Sequence, residues 1–113
     1  MGFNRAICKK IEQKMITDAI YRKVLDAVES EIPLPDGWLS ESKTEDATDA
    51  RYILCGCMQK RGLSSVQIQR LTGLKKSTVN KMIAGITDRL DRREITRLWW
   101  LQISHILEVE FEE

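Results

Sequence analysis

Apolar residues return at intervals of three and four along most of the chain, and nowhere do they alternate long enough to make a strand. Ile7, Ile11, Met15, Ile16, Ile20, Val24, Leu25 and Val28 form the first such series. A stripe with this spacing buries one face of a helix. Later series run through Tyr52, Ile53, Leu54, Cys57 and Met58, and through Ile95, Leu98, Trp99, Ile103 and Ile106. An all-α fold of five or six helices is predicted. The first series is one long helix, or two if Thr17-Asp18 interrupts it. It must stop near Ile32-Pro33-Leu34-Pro35-Asp36-Gly37, because a proline disfavours helix at the residue before it and Asp-Gly favours a turn. Trp38 and Leu39 are expected to dock that turn onto the core.

Local signals divide the rest. Ser42-x-x-Glu45, Ser64-x-x-Gln67 and Asp91-x-x-Glu94 each read as a capping box that opens a helix. Gly62, Gly73 and Gly85 read as stops or turns. These place a helix from about 45 to Gly62, a short one after Ser64, a further one from about Lys76 to Ala84, and a last one after Asp91.

Composition narrows the chemistry. With 113 residues, 42% of them hydrophobic, the chain is long enough for one core and has no apolar run near the ~20 residues of a membrane span. A soluble, cytoplasmic protein is expected. Cys8, Cys55 and Cys57 are odd in number, and His105 is the only histidine. A zinc site therefore lacks ligands, and the cysteines are expected as small core hydrophobes. No phosphate loop, nucleophile elbow or metalloprotease motif occurs. Neither catalysis nor a cofactor is expected, and His105 reads as a partly buried spacer.

The net charge of +1 conceals a segregation. Between Arg51 and Leu107 stand eleven basic residues against three acidic ones, a net of +8, while residues 1–50 hold seven against ten. A basic middle suits a surface that faces phosphates. At its centre lies GLSSVQIQRLTGLKKSTVNKMIAG, residues 62–85. Two short helices joined at a glycine make a helix-turn-helix, and Gly73 supplies the positive φ that the turn needs. Ile68, Leu71, Leu74, Val79 and Met82 are placed to hold the two helices together. At about 100° per residue from Val79, Ser77, Asn80, Lys81 and Ala84 point outward, Thr78 lies on the flank, and Lys76 reaches forward. Short, polar and basic side chains fit a major groove roughly 12 Å wide. Arg51, Lys60, Arg61, Arg70, Arg89, Arg92 and Arg93 are candidate clamps for the backbone of double-stranded DNA, with Lys75 and Thr78 beside the recognition helix.

From about Ile53 to Glu112 the chain resembles the lambda-repressor/Cro-type helix-turn-helix family. MQKRGLS, RLTGLKKSTVNKMIAG and the ending ITRLWWLQISHILEVEFEE carry the resemblance. It implies a helix-turn-helix DNA-binding domain over residues 41–113, with residues 1–40 as an extra N-terminal helix and a proline-containing turn. It also implies base-reading positions at Lys76, Ser77 and Lys81, and a phosphate or base contact at Ser65. Gln69 stands where the family commonly has Ala, and Thr72 where it has an apolar residue. A weaker resemblance, in DARYI, LSSVQIQRLTG and STV, is to the C-terminal DNA-binding domain of the bacterial replication initiator.

The expectation is a phage or bacterial transcriptional regulator, a repressor, that binds duplex DNA as a homodimer. Trp99 should fill the core between the last helix and the first motif helix. Trp100, Ile103 and Leu107, with Phe111, form a second stripe that is either core or the dimer seam. The alternative is a protein-interaction module, such as an antitoxin or a phage adaptor, that binds a protein partner through its N-terminal helix.

Overall fold

The computed structural model describes residues 3–111, with side chains from residue 13 onward. Every regular element among them is helical: α1 (Phe3–Glu31), α2 (Glu45–Lys60), α3 (Ser65–Thr72), α4 (Lys76–Arg92) and α5 (Glu94–Phe111). The fold class read from the hydrophobic spacing is therefore correct.

α1 is one helix. Thr17 does not interrupt it, because its hydroxyl turns back and donates to the Lys14 carbonyl at 2.9 Å. The last turn closes with the Ile32 amide on the Val28 carbonyl, immediately before Pro33. Trp38 is buried as expected, and its indole donates to Glu29 Oε2 at 3.0 Å. Arg51, a candidate clamp, is spent on this connection instead: its guanidinium donates to the carbonyls of Trp38, Leu39 and Ser42.

α2 is the central helix. Ala47, Asp49, Ala50 and every residue from Tyr52 to Met58 are buried, which is possible because the helix carries apolar groups almost all round. Its cap is not the expected Ser42. Thr44 accepts from the Ala47 amide at 3.2 Å, and the Ser42 hydroxyl braces Thr44 at 3.1 Å. Glu45 is then the first helical residue, two positions too early to close a box, and pairs with arginines of α4 and the α4–α5 junction. Cys55 and Cys57 are core residues, as expected. Cys8 lies outside the described side chains.

Two helix ends differ from the sequence reading. α4 does not stop at Gly85 but runs on to Arg92. Gly85 is a close-packing position: a Cβ there would stand 3.2 Å from the Tyr52 ring. Asp91 is correspondingly inside α4 and caps nothing. The break falls at Arg93, which is extended (φ −124°, ψ 109°) and leads straight into α5.

α5 packs against α1, α4 and α2, not against α3. Trp99 is therefore not wedged on the first motif helix; it is half-buried at the edge of the main cluster. Ile103 and Leu107 are fully buried inside the single chain, so neither can form a seam between copies. Trp100 is half-buried over Gly56, where a Cβ would come within 3.0 Å of the ring. His105 is exposed, not partly buried. Val24, Ala27 and Val28 of α1, and Ile32 just after it, belong to the same buried cluster as Ile53, Ile68, Val79 and Ile103. No described helix is long and apolar enough to cross a membrane.

Candidate nucleic-acid interface

The segment from Ser64 to Arg92 forms locally as its residues dictate. Ser64 accepts from the Gln67 amide at 3.2 Å while Gln67 Oε1 accepts from the Ser64 amide at 2.8 Å, so the capping box is complete. α3 ends at Gly73, which is left-handed (φ 77°), and the Gly73 amide closes on the Gln69 carbonyl at 2.9 Å. Thr72 keeps its polar group satisfied in a position that an apolar residue could fill. Its hydroxyl donates to the Ile68 carbonyl at 2.7 Å and accepts from the Leu74 amide at 3.2 Å. Three residues separate Thr72 from Lys76, where α4 begins. Ile68, Val79 and Met82 are buried between the helices, with Leu71 and Leu74 partly so.

That packing decides what α4 shows to solvent. Lys76, Ser77, Asn80, Lys81 and Ala84 are all exposed and Thr78 is half-buried, as the helical arithmetic required. Lys75 is the N-cap and supplies no side-chain acceptor. The first amides of α4 are therefore left without a side-chain partner, with the positive end of the helix dipole beside two lysines. On α3, Arg70 and Val66 are exposed, and Ser65 and Gln69 half-buried.

The cations fall into two groups. Arg89 and Arg93 are committed: Arg89 Nε meets Asp49 Oδ1 at 2.5 Å, Arg93 Nη2 meets Asp49 Oδ2 at 3.0 Å, and both reach Glu45. The hydrogen bond to Asp49 holds the Arg93 guanidinium above its ordinary pKa. Arg89 also lies 4.7 Å from the centre of the Tyr52 ring. Its side chain is only 12% exposed, so its expected role as a backbone clamp is withdrawn. Arg92 pairs with Asp88 on the helix surface at 3.0 Å. Lys60 and Arg61 are set apart as well. Lys60 lies 5.9 Å over Trp100, and Arg61 lies 5.0 Å over Phe111, both rings of α5. They do not join the α4 row.

Lys75, Lys76, Lys81 and Arg70 belong to the other group, as does Arg97 on α5. Among the described residues none of them forms an ion pair. Lys14 belongs with them: α1 runs beside α3, and Gln13, Lys14 and Thr17 face Gln67 and Arg70 across a groove. The sequence reading missed Lys14 because it balanced charge over residues 1–50 as a block. The signal is visible on a finer scale: residues 1–14 carry four basic residues against Glu12.

No group of histidine, cysteine, aspartate and glutamate among the described residues could hold a metal ion. Comparison with protein-family models, with curated proteins and with solved structures gives no match to this chain.

Proposed function

We propose that the protein is a sequence-specific duplex-DNA-binding regulator of transcription, acting as a repressor, whose helix-turn-helix is α3–Gly73–α4. α4 enters the major groove. Lys76, Ser77, Asn80 and Lys81 read base edges there, while Arg70, Lys75, Ser65 and Thr78 hold phosphates. One observation carries the reading. The chain pairs its arginines near Asp49 and Glu45, yet leaves the lysines of one exposed helix face without a carboxylate. Like charges gathered on one face repel each other unless a polyanion neutralises them.

Two copies would bind two half-sites. With Ile103 and Leu107 buried, the pairing surface available on α5 is its outward stripe of Ile95, Leu98, Leu101 and Val109, all exposed. Laid antiparallel, two such stripes bring Ile95 near Val109 and Arg97 near Glu108 of the other copy. Leu98→Glu should give a monomer in sedimentation and abolish cooperative binding to paired sites.

Selection of bound duplexes from a random library tests the whole reading. Enrichment of one motif, repeated at a spacing of about one helical turn, is the expected result. The competing protein-interaction reading draws on Met15 and Ile16, which are exposed on α1. It replaces the DNA reading if no motif is enriched and a stoichiometric protein partner is lost on changing those two residues.

A further inference from the structure

α1 does two different things along its length. At 1.5 Å per residue its 29 residues span roughly 43 Å, and the whole molecule measures 54 × 32 × 26 Å. Among the described side chains, burial on α1 begins only at Val24, whereas residues 13–16, 18 and 19 are exposed. The stretch from Gln13 to Ala19 thus stands clear of the core. The charge of the chain changes sign along this helix. Residues 1–14 hold Arg5, Lys9, Lys10 and Lys14 against Glu12, a net of +3; residues 15–31 hold two basic residues against four acidic, a net of −2. The sequence is thus basic up to Lys14 and acidic over the rest of α1, which includes its buried turns.

The projecting part is also in a definite place. α3 packs against α1 as well as against α4 and α2, so the exposed stretch of α1 adjoins the first helix of the motif. Across the α1–α3 groove Lys14 faces the same opening as Arg70, with Gln13, Thr17 and Gln67 as the remaining walls. Neither cation has an ion-pair partner among the described residues. Two unneutralised cations and three uncharged hydrogen-bonding side chains suit a row of phosphates better than an apolar or cationic partner.

We infer that the α1–α3 groove is a second contact to the same duplex, seating backbone phosphates beyond the base pairs read by α4, with Lys14 and Arg70 as its anchors. It adds affinity and a longer footprint, and no base preference, since phosphates carry no sequence information directly. This rests on the duplex-binding reading above.

The test uses the full chain, a duplex carrying the selected site with long flanks, and the same duplex trimmed to the site. Lys14→Ala, Arg70→Ala and the double substitution are compared with wild type, and Lys43→Ala serves as an exposed control in the α1–α2 connection. All the substituted side chains are exposed, so circular dichroism should be unchanged. Each anchor removed should lower the slope of log affinity against log salt by about 1. Base preference should be unaltered, and Lys43→Ala should behave as wild type. Trimming the flanks should reproduce the loss in the wild type and add little to it in the double variant. If Lys14→Ala keeps the wild-type slope and trimming response, while Lys81→Ala still relaxes base preference, the second contact is wrong and the reading of α4 stands. If the wild-type chain shows no preference and no salt-dependent affinity for any duplex, both fall.

Discussion

Asp49 is a carboxylate with no exposed surface, and it is stable there because both its oxygens are taken by guanidinium groups. An isolated buried charge would cost several kcal/mol, so the pairing is obligatory. The two arginines come from the end of α4 and from the break after it, and Thr96 of α5 accepts from Arg93 Nε at 3.3 Å. One side chain of α2 therefore fixes where α4 stops and α5 starts. Asp49→Ala would leave the nearly buried Arg89 with only the exposed Glu45 as a partner. It should destabilise the protein by about 3–5 kcal/mol, read as a lowered denaturant midpoint. Gly73 is a residue of the opposite kind, with no atom within 4 Å of a would-be Cβ but a φ of +77°. Gly73→Ala should cost about 1–2 kcal/mol through backbone strain alone. Gly73→Asn should cost less, and the difference is measurable by thermal melting.

On the scale of elements, α3 and its turn were legible because their determinants are local. The Ser64–Gln67 box and the left-handed Gly73 involve neighbours within a few residues, and each signal has one structural meaning. Ser64→Ala should accordingly lower stability by about 1 kcal/mol, seen in the denaturant midpoint. The ends of α4 and α5 were not legible. Gly85 has the appearance of a stop, but its lack of a side chain serves the ring of Tyr52, thirty-three positions earlier in the chain. Asp91-x-x-Glu94 has the spacing of a box, yet the arginine cluster around Asp49 draws the break to Arg93. Similarly, Arg51 and Arg89 were indistinguishable from Arg70 as positive charges in a basic region. Only tertiary contact separates cations that hold the fold from cations that face solvent. The row Lys76, Ser77, Asn80 and Lys81 was readable because the helical repeat alone decides which residues oppose Val79.

For the molecule as a whole, α1, α2 and α5 pack on one another, and α3 and α4 pack on that scaffold. Its core includes the thiols of Cys55 and Cys57, both pushed up to about 12 by burial. The folded thiols stay protonated at a pH where unfolded thiols ionise. Their effect on stability is thus absent below about pH 9, and stability should fall as the pH rises from 9 toward 12. A melting series across that range checks it, and replacing both cysteines with alanine should remove part of the fall. At pH 8, peptide mapping after alkylation of the native protein should find these two thiols unlabelled. The proposed function turns on the outward row of α4, and its most direct measurement is the base preference of the Lys81→Ala protein at every position of the selected duplex, set beside that of the wild type. Loss of about 1–3 kcal/mol of discrimination at one base pair, with the other positions unchanged, is the predicted result. A preference profile identical to the wild type's at every position, or a wild type with no preference at all, would contradict the account.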